Sequence, residues 1–503
     1  MDLVDEAAAL TQRQGVEDVH LLQVRRPLAG VLEVLVDHRP DPIRRGLDLD
    51  AFLDGCHVSR NLSEFAGRTG VALGTLRLEL VRLPQLKPPG VPPRRLLGAL
   101  RHSNYRLYFA GQVISTVGTW MQSVALSWYA LELTHSGFKV GLVLAMQFTP
   151  MLVGGQFGGL LADRFPKRRI LLVTQTLFIL PAAWLFLVSE THTGQYWMVL
   201  LAALALGSIN VFDVPCRQAF VIEMVGREDL LNAIALNSTI FNAAAVIGPS
   251  LAGLIIGLLG VPLCFLANAV SYLASIGALA LMRNLPSLVG EGARVGQTAF
   301  GRILEGLAYA RDNAVVGTLL LNVGVFSLFA MNRFTILPLF ADQVLHVGPS
   351  GFGFMVAAQG LGAMVGALSL AFLQHRVATG RNQFLLGVSW SVFLVVFSWS
   401  RSLWLSVALL AAAGFCQITF VATANTRIQT ATPDVLRGRV MALYAQSLMG
   451  VGPIGSLQAG TLAELFGAPW AMAAGALVSG LFLGASRLLR PGVFGASDKR
   501  RSV

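Results

Sequence analysis

The most conspicuous shortage in this sequence is charge. Charged residues make up only 13% of the 503 residues, whereas hydrophobic residues make up 54%. In an average soluble domain about a quarter of the residues are charged. A chain this poor in charge cannot cover a globular surface with polar side chains. We therefore expect most of it to lie in lipid.

The usual signatures of enzymes and of metal or nucleotide sites are also missing. The four cysteines lie far apart and match no metal-binding or redox spacing, and the eight histidines are scattered. The chain contains no HExxH pattern, no GxSxG pattern and no phosphate-binding loop of the GxxxxGK type. We therefore expect a protein that is not an enzyme, holds no metal or cofactor and has no ATP site.

The charge that is present falls into two blocks. Residues 1–95 carry 13 Lys and Arg and 13 Asp and Glu, so this segment is charge-rich and neutral. Residues 96–503 are charge-poor and carry the whole net charge of +11. A basic balance can indicate nucleic-acid binding. Here the basic residues lie in short loops between apolar runs, so we expect no nucleic acid among the partners.

The second block contains about twelve apolar segments of about 20 residues, the length that spans a bilayer. Their approximate bounds are 105–132, 138–161, 168–189, 196–216, 235–259, 262–282, 315–340, 350–373, 383–400, 403–425, 440–463 and 468–488. They predict an all-α membrane protein with two six-helix halves, 96–282 and 315–490.

Basic residues cluster in alternate loops. One side of the membrane receives Arg164, Lys167, Arg168, Arg169, Arg217, Arg227, Arg283, Arg294, Arg302, Arg311, Arg376, Arg381, Arg427, Arg437, Arg439, Arg487 and Arg490. The other side has little beyond Lys139 and Arg401. Because basic loops stay in the cytoplasm, we expect a multi-pass protein of the cell (inner) membrane with both termini cytoplasmic.

Three segments lie outside the two halves. Residues 283–314 form a predicted cytoplasmic linker, in which Phe300, Ile303, Leu304 and Leu307 follow the spacing of an amphipathic interfacial helix. Residues 491–503 form a basic tail. Residues 1–95 have no informative motif, and two interpretations stay open. They are a small soluble domain, or an over-extended start whose true beginning is a non-Met codon such as that of Val91.

The two halves also repeat each other. In the first half, Arg217 lies at the end of the fourth predicted span and Gly248-Pro249 lies in the fifth. In the second half, about 205 residues later, Arg427 lies at the end of the tenth span and Gly452-Pro453 lies in the eleventh. A duplicated six-helix unit is typical of transporters that rock two halves around a central site.

The sharpest motif is the run GLLADRFPKRR at 159–169, between the second and third predicted spans. It resembles the G-x-L-a-D-r-x-G signature of the major facilitator superfamily, which ends in basic residues, although Pro166 stands where that family usually has Gly. The resemblance implies the major facilitator fold and a conformational latch that stabilises the outward-facing state. The latch residues it implies are Gly159, Asp163, Arg164, Lys167, Arg168 and Arg169.

Two further resemblances point to export. Gly248, Pro249 and Gly253 resemble the antiporter motif G-P-x-x-G-G, with Ala252 departing from it, and a plain Gly-Pro kink is the alternative. The segments 213–220, 231–249 and 432–442 resemble the enterobactin-exporter-like branch of transmembrane secretion effectors. This resemblance covers about residues 97–490 and leaves the N-terminal block outside.

Ionisable residues in the apolar segments are few and are the candidates for coupling or gating. They are Asp213, Arg217, Arg333 and Arg427. Asp213 and Arg217 are four residues apart near the predicted end of a helix, so a local salt bridge is the alternative. Arg333 is a candidate for holding substrate or a partner carboxylate, or it extends its charge outward to the membrane interface.

Uncharged polar residues in the spans are candidates for a central cavity or merely bridge helices. They are Gln122, Gln147, Asn210, Gln359, Gln417 and Asn425. The tryptophans Trp120, Trp128, Trp197, Trp390 and Trp404 are expected mostly in the aromatic belt at the membrane surfaces, and a cavity role is the alternative for any that face inward.

These observations predict a secondary active transporter, acting as a monomer, that exports a small molecule by alternating access and proton antiport. A siderophore, a drug and a metabolite all stay open as substrates. An importer or uniporter of a small metabolite is the alternative, and a membrane-embedded receptor or enzyme is the weaker one.

Overall fold

The computed structural model describes residues 98–226, 228–283, 299–377 and 379–495, and the regular structure within these ranges is entirely helical. The N-terminal block 1–95 and the tail beyond 495 lie outside the described residues, so neither interpretation of the block is addressed. The first half contains six helices after a short 3-10 turn at Gly98–Arg101. They are α1 (Ser103–Thr134), α2 (Gly137–Arg164), α3 (Lys167–Glu190), α4 (Tyr196–Val225), α5 (Leu230–Leu259) and α6 (Pro262–Leu281).

A helix in the linker, α7 (Ala299–Asp312), precedes the second half. The helices that follow are α8 (Ala314–Ala330), α9 (Arg333–Leu339), α10 (Gly348–Val377), α11 (Gly380–Ser398), α12 (Leu403–Ala431), α13 (Asp434–Ala445), α14 (Gly452–Phe466) and α15 (Ala468–Leu489). We call the end of the bundle where α1 gives way to α2 the far end, and the end where α1 begins the near end.

In the described part of the chain, eleven helical segments are long and apolar enough to cross a membrane. The remaining predicted span, 105–132, is α1, which is 32 residues long but more polar. Its polarity has a physical reason, since Ser115, Gln122 and Ser127 are buried inside the protein and α1 packs between α5 and α6. A helix shielded from lipid by its neighbours tolerates polar side chains.

Two spans of the second half are interrupted. The segment predicted as one helix over 315–340 breaks between α8 and α9, and then continues as a π-helical turn at Phe340–Val344. The Asn332 side chain donates a hydrogen bond of 2.8 Å to the carbonyl of Leu328, which occupies an acceptor that the break would otherwise leave open. A second π-helical turn, Gln446–Gly450, separates α13 from α14.

The two halves touch through closely packed helix pairs. Helix α2 packs on α14 and α5 packs on α10. A β-carbon added at Gly141 would lie 2.3 Å from the Ser456 carbonyl oxygen, and one added at Gly253 would lie 2.8 Å from the Cα of Gly353. Only glycine permits such an approach of two helix backbones. Both contacts lie toward the far end, so that is where the halves are closely joined.

The linker helix is fastened to the second half. The Tyr309 hydroxyl donates a hydrogen bond of 2.7 Å to the Ala431 carbonyl, and Glu305 forms an ion pair with Arg439. Residues 284–298 of the linker, with Arg294, lie outside the described residues.

The tryptophans do not form one belt as predicted. Trp197 and Trp404 are exposed near the starts of α4 and α12, as a belt requires, and Trp404 is 80% exposed. Trp128 is buried, and Trp390 is fully buried between Phe326 and Phe420. Trp120 lies in the middle of α1. For these three the prediction was wrong, because hydropathy alone does not tell a ring in lipid from one inside the protein.

Candidate functional site

A buried carboxylate lies inside the first half. Asp213 on α4 is 2% exposed, and its Oδ1 accepts hydrogen bonds from Thr174 Oγ1 at 2.7 Å and Gln175 Nε2 at 2.9 Å. Its Oδ2 accepts from Arg217, from Nη2 at 2.6 Å and Nε at 2.9 Å. Both carboxylate oxygens are thus occupied, and the charge is matched one helical turn away.

Arg217 connects this carboxylate to another helix. Its Nη1 donates to Oε1 of Gln112 on α1, and the buried Tyr108, also on α1, lies beside the guanidinium. The network therefore ties α1, α3 and α4 together through a single ion pair. An ionisable pair inside a membrane bundle is costly and usually serves function.

Asp213 lies further from the end of its helix than the sequence indicated. The fourth span was expected to end near 216, three residues after Asp213, but α4 continues to Val225. Its end is marked by Gly226, whose positive φ of 69° stops the helix. Thr174, Gln175, Gln112 and Tyr108 were missed by sequence reasoning, although polar residues within apolar runs were the available signal.

A second polar cluster joins α1 to α6. The Asn268 amide donates to Gln122 Oε1 at 2.5 Å and to the Tyr272 hydroxyl at 3.2 Å. All three side chains are buried. Gln122, a candidate for the cavity or for bridging helices, bridges α1 and α6 of the same half.

The other predicted cavity residues are similarly engaged. Gln359 donates to Gln417 at 3.0 Å, which bridges α10 to α12 with both side chains buried. Asn425 accepts from Gln429 and Asn210 donates to the Leu206 carbonyl, each within its own helix. Gln147 on α2 is half-buried. The structure does not gather these six side chains into one site.

Arg427 has different surroundings from Arg217. It is buried, and its Nη1 donates to Gln383 Oε1 at 2.7 Å while Nη2 donates to the Val493 carbonyl at 2.6 Å. These contacts fasten α12 to α11 and to the turn that follows α15. The residue four positions earlier is Thr423, so Arg427 lacks the carboxylate that Arg217 has on its own helix.

The loop predicted as a latch is anchored at its basic end. Lys167 Nζ lies 2.7 Å from Glu223 Oε1, with both side chains buried. Arg168 donates to the carbonyls of Leu279 and Ala280 at the end of α6. Glu223 was missed, although an acid at the end of an apolar run beside a basic loop was visible in the sequence.

The rest of the predicted latch is only partly described. Arg164 and Arg169 are exposed. The backbone of Gly159 and Asp163 belongs to α2, but the Asp163 side chain and the surroundings of Gly159 lie outside the described residues.

The two glycine-proline motifs have different structural roles. A β-carbon at Gly248 would lie 2.6 Å from the Trp120 β-carbon, so this glycine lets α5 approach α1. Gly253, at the end of the same motif, meets α10 as described above. Gly452 has open space around it, and Pro453 starts α14 after the π-helical turn. The first motif thus packs helices, whereas the second restarts one.

Arg333 is the remaining ionisable candidate. It begins α9, and its guanidinium carbon lies 5.3 Å from the ring centre of Trp120 and 5.0 Å from that of Phe334. Trp120 in turn makes an edge contact with Phe241, with ring centres 5.3 Å apart. Among the described residues no carboxylate pairs with Arg333. The three aromatic side chains come from α1, α5 and α9. Sequence reasoning assigned Trp120 to the aromatic belt and missed Phe241 and Phe334.

Comparisons with known proteins agree on one family. Residues 96–496 match the family described as transmembrane secretion effector. Similar curated proteins include the enterobactin exporter EntS of Escherichia coli, 27% identical over 69% of this chain and 83% of its own length. The staphyloferrin A transporter of Staphylococcus aureus is 26% identical over 34% of this chain. That match spans 43% of the relative's length, less than half.

Solved structures share the fold at low identity. The nucleoside transporter NupG superimposes with a TM-score of 0.62 and 12% identity, covering 78% of this chain and all of NupG. A bacterial homologue of the lysosomal transporter Spinster, in an inward-facing and unoccupied conformation, gives a TM-score of 0.58 and 14% identity. That match covers 78% of this chain and 94% of the homologue.

Proposed function

This chain belongs to the transmembrane secretion effector family of the major facilitator superfamily, and from that premise we propose that it exports a small molecule by proton antiport. It is a multi-pass membrane transporter and not an enzyme, as the sequence predicted. The direction, the coupling ion and the substrate are the proposal.

The Asp213–Arg217 pair carries the proposal of proton coupling. Asp213 is buried within the membrane-spanning bundle, and its charge is held by Arg217 and by hydrogen bonds from α3. Protonation neutralises the carboxylate and removes most of its attraction for the guanidinium. Because Arg217 also donates to Gln112, loss of the pair loosens α4 from α1. Protonation of the Asp213 carboxylate thereby changes the packing of α4 against α1.

Export is supported by the name of a relative and by a motif resemblance. The enterobactin relative is named an exporter, and the motif at Gly248 and Pro249 resembles that of antiporters. From the basic loops at the near end we infer that both termini are cytoplasmic. Since one chain contains both halves, we propose that a monomer suffices.

The run 159–169 is proposed as the latch of this cycle. Lys167 and Arg168 hold its end against Glu223 and α6, so α3 starts from a fixed point. Arg164 is exposed. The Asp163 carboxylate then supplies the charge that pairs across the moving interface.

Proton release from energised inside-out vesicles tests the proposal. Respiration acidifies the vesicle interior, and a pH-sensitive dye reports the pH while siderophores and cationic drugs are added one at a time. An exported substrate enters the vesicle in exchange for protons, so the interior becomes less acidic. An uncoupler should abolish the signal, and Asp213→Asn should lack it at normal abundance.

Asp312→Asn is the matched control, because Asp312 is an exposed carboxylate at the end of the linker helix. It should behave as the wild type does. Substrate-dependent proton release that persists in Asp213→Asn would remove this residue from coupling. Substrate entry without proton movement would replace antiport by uniport, and uptake only in right-side-out vesicles would identify an importer.

A further inference from the structure

Arg333 places a positive charge between the two halves of the bundle, within the segment 314–344 that crosses the membrane. The break between α8 and α9 positions it, since Arg333 is the first residue after the interruption at Met331 and Asn332. Helix α9 packs against α1 and α2 of the first half. The charge therefore lies where a transporter of two halves holds its substrate.

The guanidinium differs from the other interior arginines in what it contacts. Arg217 has a carboxylate and Arg427 has amide and carbonyl oxygens as acceptors. Within the described residues, the Arg333 side chain has only the two aromatic faces. A guanidinium carries five N–H donors and keeps its charge at any physiological pH. A half-buried cation without an anion is costly, and such groups in membrane proteins are usually functional.

The aromatic rings around Arg333 come from both halves. Trp120 and Phe241 belong to α1 and α5, whereas Phe334 follows Arg333 on α9. The Trp120 ring centre lies 6.0 Å from that of Phe334 and 5.3 Å from that of Phe241. Phe241 is 57% exposed, so more than half of this residue is left uncovered by the protein. A ligand at this place contacts both halves at once.

We propose that Arg333, Trp120, Phe334 and Phe241 form the substrate site, and that its substrate is an anion bearing a flat aromatic or conjugated group. This inference rests on the proposed transport function and adds the chemical class of the substrate. The guanidinium donates paired hydrogen bonds to a carboxylate or another oxyanion. The rings stack on a planar group. A cationic amphiphile is repelled by the same charge, so the site discriminates against cationic drugs.

Equilibrium dialysis with the full chain in lipid nanodiscs tests the site. The probes are radiolabelled 2-naphthoate, which is anionic and flat, 2-naphthylmethylammonium, which has the same ring and the opposite charge, and cyclohexanecarboxylate, which has the charge without an aromatic ring. The wild type should bind 2-naphthoate at least about tenfold more tightly than either of the other two.

Variants separate the charge from the rings. Arg333→Gln should weaken 2-naphthoate binding at least about tenfold, and Arg333→Lys should retain part of the affinity because it keeps the charge but loses the planar donors. Trp120→Leu should weaken 2-naphthoate and leave cyclohexanecarboxylate nearly unchanged. Arg487→Gln is the matched control, since Arg487 also lies over a ring, that of Phe384 at 4.2 Å, but outside this site.

Equal binding of the cationic and anionic naphthyl probes would overturn the inference. Unchanged affinity for 2-naphthoate in a well-folded Arg333→Gln would do so as well. If that variant does not fold, the charge preference of the wild type among the three probes decides. Binding requires no gradient, so a site that binds 2-naphthoate without proton release in vesicles contradicts only the proposed coupling. Export of cationic drugs without binding of 2-naphthoate contradicts only this inference.

Discussion

The two halves of the transporter place an arginine at corresponding positions of α4 and α12 and give it opposite surroundings. In the first half, Arg217 is paired with the carboxylate of Asp213 one turn before it. In the second half, Thr423 occupies the place of the aspartate, and Arg427 is held by a neutral amide and a backbone carbonyl. The duplicated scaffold thus keeps the cation and changes what it binds.

The difference determines what each half can do. A carboxylate changes charge when it takes up a proton, so the first-half network has two states that differ in how strongly α4 is held. An amide and a carbonyl do not titrate, so these two contacts of Arg427 do not change on protonation. A rigid second half gives the first half a fixed partner to move against. We therefore predict that the first half moves in response to protonation and that the second half stays rigid.

The largest expected difference between the halves is in the stability lost when each arginine is replaced. Arg217→Gln leaves Asp213 buried without its cation and should lower the stability of the protein by about 3–5 kcal/mol. Arg427→Gln loses the hydrogen bonds to Gln383 and to the Val493 carbonyl, which are neutral acceptors, so a loss of about 1–3 kcal/mol is expected. Thermal unfolding midpoints in the same detergent, read side by side, check the order.

A second substitution checks the cause. Asp213→Asn added to Arg217→Gln removes the orphaned charge and should recover most of the lost stability, because replacing both partners of a buried pair is often neutral. The comparison would be wrong if the double variant were as unstable as Arg217→Gln. It would also be wrong if the two single variants unfolded at the same temperature.

Thr174 and Thr423 provide a second comparison of the two halves, with a smaller expected effect on stability. Thr174 donates to the Asp213 carboxylate, so Thr174→Val should cost about 1.5–3 kcal/mol, the range for hydrogen bonds to charged groups. The buried Thr423 hydroxyl has no hydrogen-bond partner among the described residues. Thr423→Val removes an unpaired buried hydroxyl and should therefore cause no loss of stability, and is expected to raise it slightly. The same unfolding assay measures both, and equal losses would argue against the asymmetry.

The smallest expected effect concerns the latch, and it is a change in the rate of transport rather than in stability. The first half has Asp163 in the last turn of α2, just before the loop to α3, whereas the corresponding stretch 371–381 has no acid. Asp163→Asn should insert at normal abundance and transport about tenfold more slowly, equivalent to about 1.4 kcal/mol. Initial rates of substrate entry into inside-out vesicles measure it, with Asp312→Asn as the control. Unchanged transport by the normally expressed variant would contradict the latch.

The sequence predicted the family correctly, and with it the helical membrane fold. The run at 159–169 pointed to the superfamily, and the segments near 213–249 and 432–442 pointed to the branch that the family match confirms. Hydropathy found the spans, including α1, whose polarity is explained only by the neighbours that bury it. These features were predictable because hydropathy and motif spacing are local along the chain.

The candidate sites were predicted as single residues and not as assemblies. Asp213 and Arg333 stood out in the sequence because a charge in an apolar run is conspicuous. Their partners did not, since Thr174, Gln112 and Trp120 lie on other helices and are ordinary residues when taken alone. The tryptophans were misassigned for the same reason, as Trp390 resembles a belt residue until the rings packed around it are known.

The class of protein could therefore be read from the sequence alone. So could the membrane spans, with α1 as the one span whose polarity needed the structure to explain it, and the few charged side chains that lie inside the spans. The tertiary structure decided which helices meet, that Asp213 is held by α3 as well as by Arg217, and that Arg333 faces the rings of Trp120 and Phe334. The physical reason is that helical periodicity specifies which side chains share a face. Which neighbour covers that face depends on packing between segments that are distant in the chain.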